Sequence, residues 1–262
     1  MSAIARFSLR AVVLGSLLFA GFAAADAQTH EGRSPTESPL MRSDLAGWKD
    51  RATLIEGLLR KGDFKHGESA ANSLIRDITR KITGGPDAGR ILAMPLALRA
   101  LARVGLKREG DALWDYQMTA VLWPGMRSVQ LSTYGPTGVR LAELVAAAAA
   151  TPEVFGSESS IQPSDPDAPQ ARKEITEPRA LERSEIEFPE ALNRVMKQGQ
   201  VTIDLRIDAT GRLVSPTIRS GAPQNALFLF SAMEGVRAWR FEPARLDGEP
   251  VTVFYSLTVN FH

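Results

Sequence analysis

The most informative stretch of this chain is Trp239-Arg240-Phe241-Glu242-Pro243-Ala244-Arg245-Leu246-Asp247-Gly248-Glu249-Pro250-Val251. It combines large aromatic residues with two prolines and an Asp-Gly pair, which is typical of a turn. Directly after it, apolar and polar residues alternate up to Phe261, a period of two that predicts a half-buried β-strand. The C-terminal part of the chain therefore ends in a strand preceded by a structured turn.

The residues before this stretch supply two more strands and a helix. Residues 201–207 alternate in the same way and predict a first strand, the turn at Asp208–Gly211 follows, and residues 212–220 predict a second strand, with Val214, Pro216 and Ile218 expected on one face. A short helix is expected from Glu190 to about Lys197. A longer one should follow Asn225, because apolar residues recur there at helical spacing. The predicted order is β-β-α-β with a small antiparallel sheet.

This arrangement resembles the TonB C-terminal domain family. The matched positions are an aromatic-Pro entry at Phe188-Pro189, the Asp-x-x-Gly-Arg end of the first strand at 208–212, the run at 239–244 and Gly-x-Pro-Val at 248–251. The resemblance covers residues 188–262 and implies structural roles for the residues that carry it. These are Phe188, Pro189, Gly211, Trp239, Phe241, Pro243, Gly248 and Pro250.

The sheet edges indicate how such a domain binds a partner. Pro216 cannot donate a ladder hydrogen bond, so the second strand is expected at one edge, the first in the centre and the last at the other edge. The last strand contains neither proline nor charge from Thr252 to Phe261, so a partner peptide can add to it as a further strand. The resemblance implies a segment of an outer-membrane TonB-dependent receptor as that partner. The candidate binding residues are Val253, Phe254, Tyr255, Ser256, Leu257, Thr258 and Val259.

The N-terminal part predicts α-helices instead. Apolar residues recur at helical spacing over residues 45–82 and again over 91–122, and Gly62 and Gly105 mark a tight turn in each stretch. Two helical hairpins at residues 45–150, with a last helix at 137–150, weakly resemble tetratricopeptide or Sel1-like repeats. A plain four-helix bundle accounts for the same pattern. The predicted fold class is α+β, with a helical hairpin or repeat domain before the TonB-like domain.

The remaining segments are an export signal, a lead and a linker. Residues 1–27 combine Arg6 and Arg10, a short apolar stretch and a small-x-small cleavage site ending at Ala27. If this segment is not cleaved, it is expected to serve as an inner-membrane anchor instead. Residues 28–44 are expected to be a disordered lead. Residues 151–187, which contain prolines and few large apolar residues, are expected to be a linker between parts that fold separately.

These features favour a periplasmic TonB-like protein that binds peptides by strand addition in outer-membrane transport. One alternative is a membrane-anchored energy transducer for TonB-dependent receptors, which requires the N-terminal segment to be retained. Another is a structural interaction module of the cell envelope. The net charge of +1 provides no field for nucleic acid. Histidines scattered at 30, 66 and 262 provide no catalytic or metal-ligand spacing, so neither enzymatic activity nor a cofactor is expected.

The signal segment makes a direct prediction about the exported protein. Cleavage after Ala27 should leave a mature chain that starts at Gln28. Intact-mass spectrometry of the protein purified from its native host measures this. An exported chain whose mass includes Met1 to Ala27 would contradict the prediction and support the anchor.

Overall fold

The computed structural model describes residues 39–85, 87–150, 175–193, 195–218 and 225–261. The predicted signal at residues 1–27, the first part of the predicted lead at 28–38 and the first part of the predicted linker at 151–174 lie outside the described residues.

Residues 39–150 form an array of antiparallel helices, as the apolar spacing predicts. Gly62, with φ of +77°, supplies the left-handed turn of the first hairpin. The helix Ala88–Gly105 is the central helix and is buried along most of its length. The α-helices are α1 (Pro39–Arg60), α2 (Phe64–Lys81), α3 (Ala88–Gly105), α4 (Glu109–Leu122) and α5 (Gly135–Ala150), with 3-10 helices at Pro124–Ser128 and Leu131–Tyr134 between the last two.

The prediction that residues 28–44 form a disordered lead was wrong at the C-terminal end of this range, because α1 already begins at Pro39. Proline is favoured in the first turn of a helix, where its missing N–H would have no intrahelical partner. Pro39 therefore starts the helix rather than preventing it.

The C-terminal part consists of short strands and one α-helix. In the main antiparallel sheet, the strand Gly199–Ile207 lies between Leu213–Ile218 and Val253–Phe261, which confirms the predicted central position of the first strand. The expected helix at Glu190–Lys197 is only a 3-10 turn, Glu190–Leu192. The elements are β1 (Ile175–Thr176), β2 (Arg179–Glu182), β3 (Gly199–Ile207), β4 (Leu213–Ile218), α6 (Ala226–Val236), β5 (Arg240–Glu242), β6 (Ala244–Leu246), β7 (Glu249–Val251) and β8 (Val253–Phe261). The α+β fold class is confirmed.

Strand β4 differs from its predicted alternation. A shift in the pairing between Asp204 and Arg206 of β3 places Leu213 opposite Ile207. Leu213 is therefore buried, whereas Val214 is only half-buried. An irregularity of this kind depends on tertiary packing, so the sequence period does not reveal it.

Part of the predicted linker is structured. Strand β1 pairs with β6, and β2 pairs with β5, so residues 175–182 lie against the run that carries the family resemblance. Main-chain hydrogen bonds require no large apolar side chains, which is why composition alone did not reveal these strands.

The helical part and the C-terminal part are packed against each other, in contrast with the expectation that they fold separately. One hydrophobic cluster contains Leu92 and Trp114 of the helices together with Val201 and Phe228 of the C-terminal part. Helix α4 lies against both β4 and α6. The two parts therefore share a core.

A buried cluster of charged side chains joins the same two parts. Asp115 of α4 has no exposed surface. Its carboxylate accepts hydrogen bonds from Arg99 Nε and Nη2 of α3 at 2.9 and 2.8 Å, from Arg103 Nη1 at 2.6 Å and from Arg237 Nη1 at 3.2 Å. Arg237 follows α6, and Glu234 within α6 accepts from Arg99. We call these five residues the Asp115 cluster.

The charges of the Asp115 cluster depend on one another. Burial alone would lower the pKa of the Arg99 guanidinium, but the carboxylates of Asp115 and Glu234 outweigh burial and raise it. Arg237 also donates to Asp111 Oδ1 at 2.6 Å, so a second carboxylate of α4 holds the same side chain. Arg237 reaches the carboxylates of Asp111 and Asp115 only while the helical and C-terminal parts stay together.

Replacing Asp115 with alanine should lower the free energy of unfolding by about 3–5 kcal/mol, because it leaves buried guanidinium groups without their main carboxylate. Urea denaturation followed by circular dichroism measures this. The matched control is Glu109→Ala, which breaks an exposed pair with Arg140 and should cost much less. Equal losses for the two variants would contradict the role of the Asp115 cluster.

The buried carboxylate of Glu56 in α1 leads us to expect that the stability of the protein depends on pH. Both of its carboxylate oxygens are buried without a hydrogen-bond partner among the described residues, and Arg60 Nη2 lies 3.6 Å away. Burial raises the pKa of Glu56. Because the pKa of Glu56 is higher in the folded protein than in the unfolded chain, its contribution to stability is present at acidic pH and is lost as the pH rises through the folded-state pKa.

Glu56→Gln should therefore raise the free energy of unfolding near pH 7 by more than it does near pH 4, since glutamine has no charge to bury. Urea denaturation at both pH values tests this. The control is Glu109→Gln, because hydrogen bonding to Arg140 lowers the pKa of Glu109 and the pH effect should have the opposite sign. A pH-independent effect of Glu56→Gln would refute the prediction.

Candidate partner-binding edge

Strand β8 is paired along its whole length on one side. Its partner is β3, in a register that runs without a break from Gly199 opposite Phe261 to Ile207 opposite Val253. The close approach of α6 explains the glycine, since a Cβ at Gly199 would lie 2.4 Å from the Phe228 ring. The inner side of β8 is therefore fixed by β3 and α6.

The outer side of β8 is open in the part of the chain that the structure describes, where no strand pairs with it. The candidate residues Val253, Phe254, Tyr255, Ser256, Leu257, Thr258 and Val259 all lie on this strand. Proline and charge, two common means of blocking an edge strand, are absent from it. Alternate backbone groups along this edge can therefore pair with another chain.

The opposite edge of the sheet, β4, is covered. Helix α4 lies against it, and Pro216 within the strand carries no N–H group. A helix packed over a strand is one way in which proteins protect an edge. The two edges of the β4-β3-β8 sheet are thus unequal, and β8 is the accessible one.

One face of β8 packs against the core. Phe261 stacks near Phe228 of α6, with ring centroids 4.8 Å apart, and Val253 and Val259 are buried. Between them, Tyr255 and Leu257 are only half-buried. The Tyr255 ring meets Phe241 edge-on at 5.5 Å. Two partly covered apolar side chains therefore lie beside the open edge.

The other face of β8 carries Phe254 and then the polar side chains of Ser256, Thr258 and Asn260. The Ser256 hydroxyl donates to Asp204 Oδ1 at 2.5 Å, and the hydroxyls of Thr258 and Thr202 lie 3.1 Å apart. Cross-strand pairs of this kind stabilise a sheet and hold its register. A strand added to β8 would meet apolar side chains on one face and hydroxyl groups on the other.

Among the residues of the family resemblance, Gly211 has a clear geometric role. Its φ is +77°, and a Cβ there would lie 1.8 Å from the carbonyl oxygen of Phe241. The Phe241 amide donates to the Gly211 carbonyl at 2.9 Å. Only glycine allows both the left-handed conformation and this approach, which joins the turn after β3 to the start of β5.

The other residues of the resemblance lie in the core and in turns. Trp239 and Phe241 are buried, and Trp239 Nε1 donates to the Ser184 carbonyl at 3.0 Å. The Phe188 ring meets Phe228 edge-on at 5.4 Å. The remaining positions are Pro189 before the 3-10 turn, Pro243 between β5 and β6, Gly248 with φ of +87° in the β6–β7 turn, and the exposed Pro250 in β7.

The Asp115 cluster was not predicted from the sequence. A signal was available, because Asp115 lies at helical spacing between Ala112 and Met118 on the buried face of α4. A carboxylate on an apolar helix face needs a buried cation as a partner. The sequence does not identify Arg237 as that cation, since Arg237 is more than a hundred positions further along the chain.

No helix within the described residues is both long enough and apolar enough to cross a membrane. No curated protein and no solved structure matches the chain. Residues 184–262 match the family described as the Gram-negative bacterial TonB protein C-terminal. That family is a non-catalytic domain of the cell envelope that couples transport.

The match begins just before the Phe188-Pro189 entry and runs to the end of the chain, so it contains β3, β4, α6 and β8. It does not extend into the helical part, residues 39–150, nor to β1 and β2. Residues 184–262 of this protein are a TonB C-terminal domain.

Proposed function

We propose that this protein binds a segment of an outer-membrane TonB-dependent receptor by strand addition along the outer edge of β8, as a periplasmic part of an outer-membrane transport system. The observation that carries the proposal is the inequality of the two sheet edges. The edge at β4 lies under α4, whereas the edge at β8 is open and uncharged. The TonB C-terminal domain supports the receptor as the partner.

The affinity of such a complex comes mainly from main-chain hydrogen bonds, and selection comes from side chains next to the added strand. On the α6 side, these neighbours are the half-buried Tyr255 and Leu257. On the open face, they are the exposed Ser256 and Thr258. The edge therefore favours a segment whose residues alternate between apolar and small polar side chains.

Proline substitution at two consecutive positions of β8 tests the proposal whichever of the two amides points outward. Amides of consecutive residues point to opposite sides of a strand, so one of Ser256→Pro and Leu257→Pro removes a bond to β3 and the other removes an outward donor. The outward variant should stay folded and bind about ten-fold more weakly or worse, because it loses a main-chain bond and obstructs pairing. Anisotropy of a labelled synthetic peptide that copies the TonB-binding segment of a receptor measures binding.

The matched controls are Ser256→Ala and Leu257→Ala, which keep both amides. Each control therefore shows how much binding changes when the side chain alone is lost. A folded proline variant that binds as tightly as its alanine control would place the peptide elsewhere. Since the chain has no cysteine, Thr258→Cys provides a second measurement. A receptor peptide with one cysteine should form a disulfide with it, and failure to do so would also contradict strand addition at β8.

A second candidate function, force-transmitting energy transduction, is favoured by the Asp115 cluster. The cluster ties α6 of the C-terminal domain to α3 and α4 through buried ion pairs. A pulling force on β8 can thus be transmitted to the helical part through these ion pairs as well as through the covalent chain between the helical part and the C-terminal domain. Comparing receptor-dependent solute uptake in cells with and without the protein tests transport, and unchanged uptake would favour a structural envelope role.

A further inference from the structure

Residues 175–182, which we call the filler segment, occupy a second strand edge of the C-terminal part. Ile175 lies opposite Leu246, Thr176 opposite Arg245, Arg179 opposite Glu242 and Ala180 opposite Phe241, all in one register. A shift follows before Glu182 meets Arg240. The filler segment is thus one antiparallel strand, interrupted at Glu177-Pro178, laid along β5 and β6.

The filler segment lies outside the TonB C-terminal domain, which begins at residue 184. The chain becomes firmly held at that point: the Ser184 carbonyl accepts from Trp239 Nε1 at 3.0 Å, and the Ser184 hydroxyl donates to the Gly235 carbonyl at 3.0 Å. Slightly further on, the Glu187 carbonyl accepts from the Ser231 hydroxyl at 2.5 Å. The filler segment can therefore leave β5 and β6 while the domain keeps its entry residues in place.

The side chains of residues 176–182 contribute little to holding the filler segment. Arg179 lies 3.5 Å from Glu242, but both side chains are largely in solvent, where an ion pair adds little. Leu181 is 59% exposed, whereas Ala180 is half-buried and packs against the core. The pairing therefore depends mainly on main-chain hydrogen bonds. Segments with few buried contacts open at low free energy.

The contacts of the filler segment define what the edge accepts. The Thr176 hydroxyl accepts from the Arg245 amide at 3.2 Å. Arg179 faces the carboxylate of Glu242, and Ala180 lies opposite the buried ring of Phe241, where a small side chain fits. The edge therefore favours a peptide with a hydroxyl side chain at the position of Thr176, any residue at the next two positions, a basic residue at the position of Arg179 and a small residue at the position of Ala180.

We propose that the edge of β5 and β6 is a second strand-acceptor site, separate from β8, which binds an extended peptide of this pattern from another protein when the filler segment leaves. The filler segment is then a tethered competitor. The donors and acceptors that it satisfies are the same main-chain groups that any strand of this pattern would satisfy. Binding at this edge requires nothing of β8, and the site stands whether or not β8 binds a receptor.

The first experiment compares chains with and without the filler sequence. In one variant, residues 175–182 are replaced by Gly-Ser repeats of equal length, and the probe is a labelled synthetic peptide with the sequence of residues 175–182. A tethered competitor acts at millimolar effective concentration. The peptide should therefore bind the replaced chain about ten-fold or more tightly than the native chain. Equal affinity, with the fold retained by circular dichroism, would overturn the proposal.

A disulfide lock tests the same site in the native fold. Arg179→Cys with Glu242→Cys places two cysteines at directly opposed positions in a chain that otherwise has none. The oxidised form should not bind the peptide, and reduction should restore binding to the level of the native chain. Identical binding by the oxidised and reduced forms would overturn the proposal even if the Gly-Ser variant failed to fold.

Crosslinking identifies the edge that is occupied. A peptide with cysteine in place of Arg179 should form a disulfide with Glu242→Cys in the replaced chain and not with Ser256→Cys on β8. Crosslinking to Ser256→Cys alone would show addition at β8 and overturn the second site. A disulfide between a chain with only Arg179→Cys and a chain with only Glu242→Cys would instead assign the edge to a second copy of this protein, against the proposed partner.

Discussion

The buried carboxylate of Asp115 is the interaction on which the arrangement of the molecule depends. Guanidinium groups of Arg99, Arg103 and Arg237 converge on it from α3 and from the end of α6. Arg99, Arg103 and Asp115 all belong to the helical part, whereas Arg237 and Glu234 belong to the C-terminal domain. Removing one partner of a buried ion pair leaves an uncompensated charge, so the cluster stabilises the contact between the two parts.

The contact between the two parts affects which strand edges are accessible to a partner. Because α4 carries Asp115 and also lies against β4, the contact that satisfies Arg237 places a helix over one edge of the main sheet. The outer edge of β8 lies on the other side of β3 and is not covered in the described part of the chain. The helical part thus covers the β4 edge of the main sheet in the TonB C-terminal domain and leaves the β8 edge accessible. A free C-terminal domain would expose both.

Strand addition is also a feature of how the chain folds on itself. The filler segment pairs with β5 and β6, in the run from Trp239 to Val251 that carries the family resemblance. The aromatic residues of that run are buried and its main chain takes part in ladders on both sides, with β1 on one side of β6 and β7 on the other. The same physical device, a strand supplied to an unpaired edge, serves the internal structure and the proposed binding of partners.

Periodicity and motif by themselves determined the elements of this protein and the family of its C-terminal part. Helical spacing predicted the hairpins and the first turn at Gly62, whereas the second turn lies just after Gly105, where Lys107 takes the left-handed conformation. Alternation predicted β3 and β8 with the correct central strand. These features are local: a strand or an amphipathic helix is encoded within about ten residues of sequence. The Trp239 and Gly211 motifs are local as well, so the resemblance to the TonB C-terminal domain followed from sequence alone.

Only the tertiary structure decided how these elements meet. The pairing of residues 175–182 with β5 and β6 needs no apolar pattern, because main-chain groups form it. One partner of Asp115, Arg237, lies 122 positions away, and no local rule selects it among the other arginines of the chain. The sequence therefore determined the two edges of the main sheet, and long-range packing decided which of them is open, since burial and ion pairing depend on contacts between distant segments.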